Sequence, residues 1–80
     1  MRHVTLIGVN GNAFSIMGYV TENMRRMKFT KQERDKYVEE ATSGDYDHLI
    51  QVSIKYTDLI NDRIDAYNEE HEEYDENDEY

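Results

Sequence analysis

Residues 45–67, DYDHLIQVSIKYTDLINDRIDAY, admit two readings, and the choice between them decides the fold. Ile50, Val52, Ile54 and Tyr56 alternate with Gln51, Ser53 and Lys55, the period-two pattern of a strand. Leu49, Val52, Tyr56, Leu59, Ile60, Ile64 and Tyr67 instead recur at the three- and four-residue spacing of one helix face. The helical series runs across residues 49–67, far beyond an ordinary strand of about 5–6 residues. Asp45 or Asp47 supplies an N-cap whose carboxylate can accept the first free backbone N–H groups. The helix is therefore the preferred reading, with a strand over 50–56 as its alternative.

Upstream, Thr30-Lys31-Gln32-Glu33 fits a capping box, with Thr30 as cap and Glu33 reaching back, and predicts a helix to about Thr42. Gly44 is expected to end it in the left-handed conformation. Ala13, Met17, Val20, Met24 and Met27 define a further amphipathic helix, capped by Asn12 and running to about Lys28. Gly18 inside that helix costs about 1 kcal/mol relative to alanine, so another backbone is expected to pack against it.

Residues 3–9, HVTLIGV, are β-branched and aliphatic and end at the turn signal Asn10-Gly11-Asn12, which reads as a strand covered on both faces. The predicted architecture is α+β, mainly helical: one N-terminal strand, three helices and a partly disordered acidic C-terminal tail. A lone strand leaves a row of backbone donors and acceptors unpaired, and this is the reason to expect a homodimer.

The 80 residues allow one domain, drawn at 1–67, with an acidic tail at 68–80. Residues 1–64 carry nine acids and nine Lys or Arg, so the net charge of −9 belongs to DAYNEEHEEYDENDEY at 65–80. A neutral body with a polyanionic end argues against direct nucleic-acid binding by the whole surface. There are no cysteines, hence no disulfide and no thiolate metal site, in keeping with a reducing compartment. No apolar run approaches the roughly 20 residues that span a bilayer, and the N-terminus reads as no secretory signal. A soluble cytoplasmic protein is expected.

Chemistry-bearing patterns are sparse. Asn10, Gly11 and Asn12 at a helix start, with Arg25, Arg26 and Lys28, form a candidate anion or nucleotide site, against the plain alternative of a strand–helix turn. Six of the nine bases fall within residues 25–36, and a nucleic-acid accessory protein using them is a further alternative. Asp45, Asp47 and His48 could supply half of a metal or acid–base site, but a helix cap with an exposed histidine accounts for them equally. Residues 75–79 have the composition of a calcium loop without its glycine or its ligand spacing. Met17, Met24 and Met27 read as core first and as an adaptable groove second. No nucleophile or dinucleotide motif is present. The expectation is a non-enzyme without metal or cofactor. It would bind a protein with a basic surface through Glu39, Glu40, Asp58, Asp62, Tyr67, Glu69, Glu70, Glu72, Glu73 and Tyr74, where tyrosine gives contact area and carboxylates give steering; the alternatives for the tail are that it folds back onto the basic cluster of residues 25–36 or only keeps the chain soluble.

Two elements, Gly11-Asn12-Ala13-Phe14-Ser15-Ile16-Met17-Gly18 and Ser43-Gly44-Asp45-Tyr46-Asp47-His48-Leu49, resemble the GNAF-x-x-MG and SGDY-x-x-L elements of a family of small uncharacterised tailed-bacteriophage proteins. The resemblance covers residues 3–60 and carries no catalytic residues over. It implies a phage context, in which small accessory proteins bind and inhibit host enzymes or antiviral-defence proteins in the host cytoplasm.

Overall fold

The computed structural model describes residues 1–70, and its element order is α1 (Ala13–Arg26), α2 (Lys31–Ala41) and α3 (Tyr46–Glu70). Each helix packs on the other two. The ambiguous stretch resolves as helix: Leu49, Val52, Tyr56, Ile60 and Ile64 are buried along one stripe of α3. Ile16, Val20 and Met24 from α1, Tyr37 and Ala41 from α2, and Met27 and Phe29 from the connection complete the core. A buried polar seam is satisfied internally, with Tyr37 Oη and Ser53 Oγ 2.6 Å apart. The Tyr37 and Tyr56 rings meet beside it at 4.9 Å between centroids, tilted by 58°.

Local chemistry sets the boundaries. Asn12 Oδ1 accepts from Phe14 and Ser15 N–H at 2.8 and 3.3 Å, starting α1. The capping box of α2 is present: Thr30 Oγ1 accepts from Glu33 N–H, and Glu33 Oε1 accepts from Thr30 N–H at 2.7 Å. At the end of α1, Phe29 N–H donates to the Met24 carbonyl and Lys28 N–H to that of Arg25, at 2.9 and 3.1 Å. This is a Schellman motif, and its left-handed residue is Lys28, at φ 70°, where glycine is usual.

The expected α+β class is overturned: there is no strand among the described residues. Residues 1–6 run alongside α3, and side chains bond their main chain at Met1, Val4 and Thr5. Asn61 Oδ1 accepts from Val4 N–H at 2.7 Å, and Asn61 Nδ2 donates to the Val4 carbonyl at 3.0 Å. Asn68, two turns further on, takes the Met1 amino group and donates to the Met1 carbonyl, both at 2.8 Å. His3 Nε2 lies 2.6 Å from Asp65 Oδ1 between them, and Tyr19 Oη accepts from Thr5 N–H at 3.3 Å. A carboxamide offers the same donor and acceptor as a peptide group, so α3 supplies what a neighbouring strand would have. Part of the backbone from which a homodimer was expected, at Val4 and Thr5, is thereby paired within the chain. Nor is this segment covered on both faces: Val4 and Leu6 are half-buried, whereas Ile7 is 87% exposed. A turn closed by Val9 N–H on the Leu6 carbonyl follows, and Gly8, at φ 86°, gives it the positive φ it needs.

Both glycine expectations are corrected. Nothing lies within 4 Å of where a Gly18 Cβ would stand, so no backbone packs there. Gly44 has no positive φ; a Cβ on it would instead meet the His48 ring and Cβ at 2.7–2.9 Å. α3 also continues through residues 68–70, so the described start of the expected tail is helical and bonded to Met1.

Candidate functional site

The connections first account for several candidate residues. His48 Nε2 and Ser43 Oγ both donate to the Glu40 carbonyl, at 2.9 and 2.7 Å, and so close the C-terminal end of α2. Asp45 Oδ1 accepts from His48 N–H at 2.9 Å and caps α3. Asp45 and His48 thus terminate two helices instead of converging on a metal. No group of three or more His, Asp or Glu among the described residues could hold an ion.

The two halves of the candidate nucleotide site stand apart. Asn10, Gly11 and Asn12 lie at the start of α1, and Arg25, Arg26 and Lys28 lie at its end. Thirteen helical steps separate Asn12 from Arg25, about 20 Å at 1.5 Å per residue. Three of the N–H groups there are also taken: Asn12 N–H donates to Asn10 Oδ1 at 2.8 Å, and Phe14 and Ser15 N–H donate to Asn12.

The basic cluster is largely spent inside the molecule. Arg25 and Arg26 both reach Glu22, at 2.8 and 3.5 Å, and Lys31 reaches Asp35 at 2.7 Å. The Arg25 hydrogen bond, ahead of the charge of Arg26, holds the Glu22 carboxyl below the usual carboxylate range. Arg34 donates to the Phe29 carbonyl at 2.9 Å. Arg63 donates to the Met27 carbonyl at 3.1 Å while its guanidinium lies 3.8 Å over the Phe29 ring. Met24 and Met27 are core.

Among the acids, Glu40 is an internal anchor. Lys55 Nζ and Tyr56 Oη donate to it at 2.6 and 3.1 Å, and the lysine bond leads in lowering its pKa. Glu39 is exposed on α2. Asp58, Asp62, Asp65 and Glu69 follow at spacings of four, three and four, which puts them on one face of α3. Asp65 pairs with His3, and no ion pair among the described residues reaches Asp58, Asp62 or Glu69. Tyr67 and Glu70 are exposed near the end of that helix. Glu72, Glu73 and Tyr74 lie outside the described residues, as do residues 75–79.

Three depressions border these elements. One of about 460 Å³ between α2 and α3 is lined by Phe29, Glu33, Leu59, Asp62, Arg63 and Ala66. Another, of about 290 Å³, shares Arg63 and Ala66 with it and continues past Met27 and Lys28 to Tyr67 and Glu70. A third, of about 340 Å³, brings Ala13, Phe14 and Met17 against Thr42, Gly44, Tyr46 and Leu49. There the segments 11–18 and 43–49 meet, tied by a hydrogen bond from Tyr46 Oη to the Gly11 carbonyl. Phe14 stands 81% exposed on its rim.

Sequence reasoning missed Asn61, Asn68, Arg63 and Ala66. Asparagines seven apart on a helix carry no signal until the segment they hold is known. Comparison with protein-family models, curated proteins and solved structures gives no match.

Proposed function

We propose that the protein is a binding protein that occupies a basic surface on another protein and thereby inhibits it, using the solvent face of α3. One observation carries this reading. Six of the nine bases of the body, Arg25, Arg26, Lys31, Arg34, Lys55 and Arg63, are held by internal pairs or helix-end carbonyls, whereas no ion pair among the described residues reaches Asp58, Asp62 or Glu69 on one helix face. Charge that balances over residues 1–64 is thus locally acidic on this face of α3. Such a face steers encounter with a positive partner and suppresses association with polyanions. The resemblance to small phage proteins suggests a host enzyme or defence protein as the target.

The test compares the chain with a variant carrying Asp58→Lys, Asp62→Lys and Glu69→Lys, each immobilised and exposed to bacterial lysate at low salt. Proteins held by the first and lost by the second, and released by added DNA, are the expected result. Identical sets on both would refute the reading. A chain ending at residue 70 measures separately what the six acids of residues 71–80 add to affinity and to its salt dependence.

A further inference from the structure

The acidic face adjoins an apolar trough, and together they fit one kind of side chain. Leu59 is 44% exposed, and Ala66, also exposed, lines the depression beside Arg63. Asp62 and Glu33 face the same depression from α3 and α2. Arg63 lines the depression too but forms no ion pair with either acid: its guanidinium lies on Phe29 and donates to the Met27 carbonyl at the α1 C-terminus, leaving two carboxylates against one cation. Glu33 uses Oε1 for its capping bond to Thr30 N–H. At the far end of the trough Lys28 and Glu70 oppose one another, so the end with Asp62 and Glu33, two acids together, is the more favourable for a cation.

We infer that this trough anchors a lysine or arginine of the basic partner, its aliphatic stem along Leu59 and Ala66 and its cationic head at Asp62 and Glu33. Long basic side chains bury their stems on apolar surface while keeping the charge at a polar edge, and the trough presents both in that order. The inference rests on the proposed function and names the contact that function would use.

The test titrates the full 15N-labelled chain at low salt with pentalysine and with a peptide of five diaminopropionic acids, of equal nominal charge but one-methylene stems. Pentalysine is expected to give saturable shifts centred on Leu59, Asp62 and Ala66 and to bind at least fivefold tighter than the short-stem peptide. Asp62→Asn should weaken it at least fivefold. So should Ala66→Leu, which fills the trough at an exposed helical position and keeps every carboxylate. Equal binding of both peptides, or pentalysine binding unchanged by Ala66→Leu, overturns the anchor. If the triple Asp58, Asp62 and Glu69 charge reversal still abolishes binding in that case, the acidic-face reading survives. Absence of binding to the unaltered chain overturns both.

Discussion

Replacing Asn61 with alanine tests the claim that a helix side chain stands in for a missing strand. The substitution deletes the bonds to both the N–H and the carbonyl of Val4, at 2.7 and 3.0 Å. At about 1 kcal/mol net for each hydrogen bond, the expected loss is about 2 kcal/mol. For a domain of this size that is about 8–16 °C in Tm. The loss has a ceiling: once it exceeds the free energy that docks residues 1–6 on α3, the segment opens locally and the helices remain folded. Two assays separate these cases. Urea unfolding gives the global change, and amide hydrogen exchange at Val4 reports local opening. Asn61→Asp sharpens the experiment, since it keeps an acceptor for Val4 N–H but sets an oxygen against the Val4 carbonyl; it should cost at least as much as alanine. If Val4 exchange is as slow in Asn61→Ala as in the parent, the amide is not what holds the segment, and the account of why this chain needs no second strand fails.

Other substitutions probe the connections and the core. Lys28→Gly relieves a left-handed residue at φ 70° and should stabilise by about 0.5–1 kcal/mol in urea titration, the gain offset in part by glycine's greater unfolded-state entropy. Gly44→Ala drives a Cβ to within 2.7–2.9 Å of His48 and should destabilise by about 1–3 kcal/mol, with loss of the His48 bond to Glu40 visible in the imidazole 15N shifts. Burial raises the hydroxyl pKa of Tyr37 above 10.0, and burial followed by the bond to Glu40 raises that of Tyr56. The folded state therefore holds these protons after the unfolded chain has released them. Stability is complete below pH 10 and declines as pH rises through and beyond it. Tyr37→Phe should flatten that decline in alkaline urea titrations, at a cost of about 1 kcal/mol at neutral pH from the unpartnered Ser53 hydroxyl.

Helical periodicity was the most legible part of this sequence. The caps at Asn12 and Thr30 and the core stripe of α3 could be read directly, because each depends on residues within a turn or two of one another. Residues 3–9 could not. Their composition is that of a strand, but the main chain at Val4 is met from α3 by Asn61, more than 50 positions away, as Asn68 meets Met1 just before them. The same distance defeated the functional pairing of Asn10–Asn12 with Arg25, Arg26 and Lys28, since one linear cluster lies at each end of α1. Exposed acids were visible as acids, but Glu40 and Asp65 proved to be engaged internally, and only folding separates them from Asp58, Asp62 and Glu69.

The clamp made by Asn61 and Asn68 grips peptide groups and is blind to what they carry. Arg2, Thr5 and Ile7 are exposed on the segment it holds, so that stretch can drift in sequence while its path is kept by Val4, Leu6 and two carboxamides. The molecule thus owns a short rewritable margin, where a new epitope or label can be introduced without redesigning the three helices beneath it.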